Sequence, residues 1–229
     1  MRVALAIMVK QPVPGRVKTR LCPPLTPAQA TELYRCFLLD KMAQVRRVAA
    51  ATPYLAFTPP EAGPFFRDLA GGTFSLVPQE GRDLGERLHR LSTHLLAVGH
   101  PGVVIIDSDT PSLPDPFLVE AVERVADRDT DAVFGPAEDG GYYLVGLRQS
   151  APAIFQRIAW STPVVLDQTL RAAAGTGLRV HLLPPWYDVD TGKDLGRLTR
   201  DLEGNGTTAR ETWTFLQGLR AGWVEEERS

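Results

Sequence analysis

Between Lys10 and Leu21 the sequence reads Lys-Gln-Pro-Val-Pro-Gly-Arg-Val-Lys-Thr-Arg-Leu. Four cations, Lys10, Arg16, Lys18 and Arg20, hang from a segment that two prolines and Gly15 hold extended, and no acidic residue precedes Glu32. Such a loop can clamp a phosphate or diphosphate through charge-assisted hydrogen bonds. It is not a P-loop, because Gly15-Arg16-Val17-Lys18-Thr19 lacks the glycine before the lysine and the required spacing. Asp107-Ser108-Asp109-Thr110-Pro111 places two carboxylates one residue apart, and Asp188-Val189-Asp190 repeats the arrangement. Carboxylates at strand ends offer hard oxygen donors to Mg²⁺ or Mn²⁺. One pair alone reads equally well as a turn or a cap, and Asp190 could simply start a helix. Two such pairs in one α/β unit favour the cation.

Three other segments have a plain structural reading beside a functional one. In Gln79-Glu80-Gly81-Arg82-Asp83-Leu84-Gly85-Glu86-Arg87, Asp83 and Glu86 form a capping pair, while the glycines let backbone approach a planar base. Asp139-Gly140-Gly141 reads first as a hairpin turn, and Trp160-Ser161-Thr162-Pro163 first as a helix start. The histidines share no helix face at metal-ligand spacing, and neither a nucleophile elbow nor a zincin motif is present. Cys22 and Cys36 are too far apart for a CxxC site and too few for a disulfide scaffold.

The elements that must position these residues alternate between strand and helix. Val3–Val9, nearly continuous in apolar residues, predicts a strand buried on both faces. Thr26, Pro27 and Gln29 predict a capped helix from Pro27 to Ala50. Strands are expected at Tyr54–Thr58, Phe74–Val77, Val103–Asp107, Asp131–Phe134, Tyr142–Leu147 and Arg179–Leu183. Helices are expected at Phe65–Leu69, Leu84–Val98, Pro116–Ala126, Ala151–Ile158, Val164–Ala173 and Lys193–Leu202. After Gly204-Asn205-Gly206, an amphipathic helix over about 207–221 precedes an acidic tail, Glu225–Ser229. This order predicts an α/β fold of three layers, a mostly parallel sheet with helices on both faces, in one domain spanning 1–229. In such sheets ligands bind beyond the carboxyl ends of the strands, which is where the basic loop and the carboxylate pairs fall.

The 229 residues are 44% hydrophobic and 23% charged, an ordinary globular balance. A net charge of −2, from 25 basic and 27 acidic residues, does not suit a broad nucleic-acid-binding surface. No apolar stretch approaches the ~20 residues of a membrane span, and no leader is recognisable, so a cytoplasmic location is expected.

Taken in order, Lys10 with Pro14–Leu21, Gln79 with Asp83–Arg87, Ser108–Pro111, Asp139–Tyr142 and Asp188–Thr191 resemble a bacterial GT-A-type family, the nucleotide-diphospho-sugar transferase fold. Some members carry the name of arsenosugar-biosynthesis glycosyltransferases, and the pattern is more distantly similar to phospholactate and molybdenum-cofactor nucleotidyltransferases. The resemblance covers roughly residues 1–200. It implies a nucleotide donor held with Mg²⁺ or Mn²⁺. Phosphates would lie on Lys10, Gly15, Arg16, Lys18 and Arg20, and the base near Gln79 and Gly81, with Arg87 beside them. The metal would lie on Asp109 and Asp190, with Asp107 as an additional carboxylate where the family often has glycine. Gly140, Gly141 and Tyr142 would form the acceptor side, with Asp139 activating the acceptor while Lys18 and Arg20 act on the leaving phosphate. Gly192-Lys193 replaces the Pro-Glu usual after the final Asp-Thr.

Transfer of a sugar from a nucleotide sugar to a small acceptor is the leading expectation. Nucleotidyl transfer from a nucleoside triphosphate, releasing pyrophosphate, is the alternative. A non-catalytic nucleotide-binding protein is the third. Oligomeric state is left open by the sequence.

Overall fold

The computed structural model describes residues 2–204 and 208–226, with side chains through residue 219. Residues 205 and 206 of the expected boundary and 227–229 of the expected tail lie outside them.

Among the described residues seven strands, β1 (Val3–Lys10), β2 (Ala51–Thr58), β3 (Ser75–Pro78), β4 (Val103–Ile106), β5 (Ala132–Pro136), β6 (Tyr142–Leu147) and β7 (Val180–Leu182), form one sheet. Their order is β3-β2-β1-β4-β6-β5-β7, and only β6 runs antiparallel to its neighbours. Seven α-helices accompany them among the described residues: α1 (Pro27–Arg47), α2 (Gly63–Ala70), α3 (Leu84–Ala97), α4 (Asp115–Ala126), α5 (Val165–Gly175), α6 (Gly192–Glu203) and α7 (Arg210–Glu226).

The alternation of side chains along a strand makes the three layers. Val3, Leu5, Ile7 and Val9 of β1 enter a core shared with α1, α4, α6 and α7, while Ala4 and Ala6 face a second core with α3 and α5. Large residues on one face and alanines on the other set how closely each helix layer approaches. Each fully buried large aliphatic side chain contributes about 1.5–3 kcal/mol.

The capping box of α1 forms as the sequence predicts. Gln29 N donates to Thr26 Oγ1 at 3.2 Å, and Thr26 N donates to Gln29 Oε1 at 2.8 Å. Helix α1 nevertheless ends at Arg47, because Val48 leaves helical geometry. Strand β2 then starts at Ala51, earlier than its own pattern suggests, since it pairs with β1 along its full length from Val3↔Ala51 to Lys10↔Thr58. The expected helix Ala151–Ile158 shrinks to a 3-10 turn at Pro152–Phe155. Arg157 just beyond it has a positive φ of 58°, incompatible with continuing a helix.

Helix α7 docks on α1 through Asp40, whose carboxylate accepts Glu211 N at 3.0 Å and Thr212 N at 2.8 Å. That carboxylate caps the helix from outside its own chain segment. No helix among the described residues is long and apolar enough to cross a membrane.

Candidate active site

Strands β2 and β3 lie on one side of β1 and β4 lies on the other. The carboxyl ends of β1 and β4 therefore flank a topological switch point, the place where open α/β sheets bind ligands. A cleft of about 680 Å³ opens there, lined by Lys10, Arg16, Lys18, Arg20, Gln79, Arg87, Asp107, Asp109 and Asp190 among others. The structure thus brings the basic loop, the Gln79–Arg87 segment and both carboxylate pairs to one place.

The basic loop is anchored by its apolar residues. Val17 and Leu21 are buried, and Leu21 N closes a turn onto Lys18 O at 3.0 Å. Lys10 Nζ donates to Arg16 O at 2.8 Å, bracing the loop across its mouth. Tyr34 on α1 accepts Lys10 N at 3.1 Å and hydrogen-bonds Ser108 Oγ at 2.9 Å, so one hydroxyl ties the ends of β1 and β4 together.

Lys18 behaves differently from its three neighbours. The sequence groups it with the other phosphate-binding cations of the loop; its side chain is only 5% exposed. Its ammonium reaches Asp109 Oδ1 at 2.7 Å, Asp190 Oδ1 at 2.9 Å and Val189 O at 2.8 Å. Burial alone would lower the Lys18 pKa, but the two carboxylates outweigh it and hold the pKa above its ordinary value. Arg20 stays largely exposed, with Nη1 3.6 Å from Asp190 Oδ2.

The carboxylates differ among themselves. Asp107 Oδ1 accepts Asp109 N at 3.0 Å and Thr110 Oγ1 at 2.8 Å, so it shapes its own turn as well as facing the cleft. Beneath that turn lies the buried Lys41, whose ammonium donates to Thr110 O at 2.6 Å and Thr110 Oγ1 at 2.9 Å. Burial pushes the Lys41 pKa down to about 8, although the aspartates around it act in the opposite direction. Asp188 and Asp190 do not follow directly on a strand, as the sequence suggests. Strand β7 stops at Leu182, and the chain continues alongside the end of β5, with Trp186 N on Pro136 O at 3.0 Å. Val189 N then donates to Asp109 O at 2.9 Å, which fastens the two carboxylate pairs to each other. Thr191, not Asp190, caps α6, through a capping box with Asp194 that forms despite the unusual Gly192-Lys193.

Asp188 is the residue the sequence reading passed over in favour of Asp190. Its Oδ1 is buried without a hydrogen-bond partner. Burial, then Asp107, Asp109, Asp139 and Asp190, raise its pKa to about 9. Ser161 was missed as well. The Trp160–Pro163 segment is not a helix start, since α5 begins at Val165; it is a loop in which Ser161, at φ 63°, lines the cleft.

On the remaining sides, Gln79 Nε2 donates to Val9 O at 3.1 Å and Ala56 O at 2.7 Å, stitching the strand ends. Gly81, at φ 144°, leaves no room for a Cβ, which would lie 2.8 Å from Arg87 N. Arg87 Nε in turn donates to Gly81 O at 3.2 Å. Asp139 Oδ1 accepts Gly141 N at 2.8 Å in the β5–β6 turn. Gly140 fits under Pro163, whose carbonyl oxygen a Cβ would meet at 2.1 Å. Tyr142, expected on the acceptor side, packs against the second core beside Phe134 and Trp160.

A family model described as an uncharacterized protein conserved in bacteria (DUF2064) matches residues 41–162. The chain belongs to this family. A crystal structure from Desulfovibrio desulfuricans G20, provisionally named a nucleotide-diphospho-sugar transferase, matches with a TM-score of 0.89 and 32% identity. That match covers 96% of this chain and 95% of that one. A 2-phospho-L-lactate guanylyltransferase of Methanothermobacter thermautotrophicus is 28% identical over 212 residues, 89% of this chain and 85% of the relative. The Mycobacterium tuberculosis H37Rv protein Rv0371c, solved in complex with manganese, has a TM-score of 0.50 and 15% identity, covering 86% of this chain and 98% of that one. The fold is that of the nucleotide-diphospho-sugar transferases, as the five sequence segments suggest.

The residues present fit a divalent cation held jointly with a ligand. Among the described residues no three His, Cys, Asp or Glu side chains are arranged to hold an ion by themselves. Mg²⁺, however, is commonly bound by one or two carboxylates together with substrate phosphates. Asp109 and Asp190 supply such a pair, and the unpartnered Asp188 Oδ1 beside them is an acceptor that a cation would satisfy.

Proposed function

We propose that this protein transfers a nucleotidyl group from a nucleoside triphosphate to a small phosphorylated acceptor and releases pyrophosphate. The observation that carries this reading is the convergence of Lys10, Arg16, Arg20 and Arg87 with Asp109 and Asp190 in one cleft at the switch point. Four cations around a carboxylate pair suit a triphosphate and a second phosphate group. The similarity to a guanylyltransferase over 89% of this chain supports the same class.

In this reading an oxygen of the acceptor attacks the α-phosphorus, the bond to the bridging α–β oxygen breaks, and that oxygen leaves with the pyrophosphate. Lys10, Arg16, Arg20 and Arg87 bind and orient the phosphates, while Gln79 and Gly81 border the base. Asp109 and Asp190 would hold Mg²⁺ or Mn²⁺, which supplies charge neutralisation for the transferring and leaving phosphates. Fixed cations aimed at developing charge lower the barrier without reorganising during the reaction. The substrates would be soluble small molecules of the cytoplasm.

Sugar transfer from a nucleotide sugar is the second reading, and Asp139 favours it. A hydroxyl acceptor needs a base, and Asp139 lies near enough to the site to raise the pKa of Asp188; a phosphate acceptor is already a nucleophile. Incubation with each triphosphate and with nucleotide sugars, in the presence of candidate acceptors and Mn²⁺, separates the two. Pyrophosphate release supports nucleotidyl transfer, and nucleoside diphosphate without pyrophosphate supports sugar transfer. Nucleotide binding without either product would leave only a binding protein.

A further inference from the structure

Lys18 is placed where the carboxylates of the cleft would otherwise be open to a metal. An ammonium has three N–H donors; Val189 O at 2.8 Å and Asp190 Oδ1 at 2.9 Å accept from it, and Asp109 Oδ1 is ion-paired with it at 2.7 Å. The ammonium is thus turned into the protein, its side chain only 5% exposed. The backbone is set for this contact, since Lys18 holds a left-handed conformation at φ 48° and ψ 36° between the buried anchors Val17 and Leu21. A non-glycine residue takes that conformation at a cost, which a fixed environment must offset. Phe37 lies beneath, with its ring centroid 5.7 Å from Nζ.

Asp109 and Asp190 are also the pair that would hold a divalent ion. One oxygen of each is already bound to the ammonium, so two cations would contend for the same donors.

We propose that Lys18 is the resident counter-ion of the Asp109–Asp190 clamp, so that a divalent metal is taken up only together with a nucleotide whose phosphate accepts the displaced ammonium. The proposal rests on the nucleotide-binding reading of the cleft. It adds an order of events: the free protein rejects the metal, and the phosphate releases the carboxylates by drawing Lys18 onto itself. No covalent step is involved.

The test is Mn²⁺ binding, followed by the loss of the free-ion electron paramagnetic resonance signal, in wild type and Lys18→Met with and without GTP, CTP, UTP or ATP. Without nucleotide, Lys18→Met should bind Mn²⁺ at least tenfold more tightly than wild type, and adding Asp109→Asn to it should abolish the gain. Wild type should take up Mn²⁺ when a triphosphate that binds is added. Mn²⁺ binding by nucleotide-free wild type as tight as that of Lys18→Met, or no gain in a folded Lys18→Met, would overturn the proposal. Should Lys18→Met not fold, the wild-type arm decides: tight Mn²⁺ binding unchanged by any triphosphate overturns it. If the variant gains Mn²⁺ but no triphosphate or nucleotide sugar binds either protein, the counter-ion role stands, while the nucleotide coupling falls with the proposed function.

Discussion

Two clusters of carboxylates and cations sit at opposite ends of the same sheet and are built on opposite principles. At the amino ends of β5 and β7, Asp131 is fully engaged. Arg148 Nη2 reaches its Oδ1 at 2.6 Å, while Arg179 Nε and N reach its Oδ2 at 2.9 and 3.1 Å. These hydrogen bonds hold the Asp131 carboxyl far below its ordinary range. At the other end, around β1 and β4, burial and then Asp109 push the Asp107 carboxyl upward against the pull of Lys41, burial and the neighbouring aspartates push Asp188 upward, and one oxygen of Asp188 has no partner. Two arginines converge on Asp131, and Arg179 reaches Asp129 as well, where the fold is being fastened. Several acids crowd together where a ligand is to be received. A satisfied cluster stabilises; an unsatisfied one holds binding capacity in reserve.

The sharpest way to break this contrast is to neutralise the clamp. Asp109→Asn and Asp190→Asn should each reduce turnover by at least about 10³-fold and remove Mn²⁺-dependent nucleotide binding, with circular dichroism unchanged. Calorimetry showing wild-type Mn²⁺-nucleotide affinity in either variant would remove that residue from the clamp. Asp139→Asn should lower turnover by about 10²-fold if a hydroxyl acceptor needs its carboxylate. An Asn carbonyl can still accept Gly141 N, so donor affinity and melting temperature should hold. Wild-type turnover would make Asp139 a turn residue only.

The two clusters should also separate by pH. Asp131, with its pKa lowered by folding, stabilises the protein above about pH 4, and that contribution fades as acid protonates it. Asp131→Asn should therefore lower the thermal midpoint by several degrees at neutral pH, with the gap from wild type closing below about pH 4 and nucleotide affinity untouched. Asp188 works the other way. Its pKa rises on folding from 3.8 to about 9, so the folded state holds the extra proton in that window and stability declines as pH climbs through it. Asp188→Asn should flatten this decline and leave the variant more stable than wild type at pH 8, with weaker Mn²⁺-nucleotide binding. A variant less stable than wild type at that pH would mean that the Asp188 carboxylate is satisfied after all.

Much of this was legible in the residues. The apolar runs of β1 and β4, the Thr26–Gln29 box and the basic loop are local patterns, and local patterns set local structure. What escaped depends on contacts across the chain. Nothing near Lys18 announces that its ammonium will meet Asp190, since that contact exists only once α6 and the basic loop are docked at the same strand ends. The choice between Asp188 and Asp190 is equally non-local, because either residue of such a pair could face inward. The positive φ of Ser161 is set by packing, so Trp160-Ser161-Thr162-Pro163 reads as a helix start until the loop is seen. Strand β2 began early for the same reason: its partner, not its own periodicity, defines its length.

The Trp160–Pro163 loop is keyed into place by the absence of side chains on its neighbours. A Cβ on Gly85 would lie 2.6 Å from the indole nitrogen of Trp160 and 2.7 Å from Phe155 O, and Gly140 receives Pro163 just as closely. Position 85 thus behaves as a keyhole rather than a spacer. For anyone diversifying this scaffold, the two glycines are fixed points: a single added methyl at either would lever the loop outward and reshape the mouth of the cleft. The wall could be recut at Ser161 instead, where a change of side chain alters what faces the cleft and leaves the key in its lock.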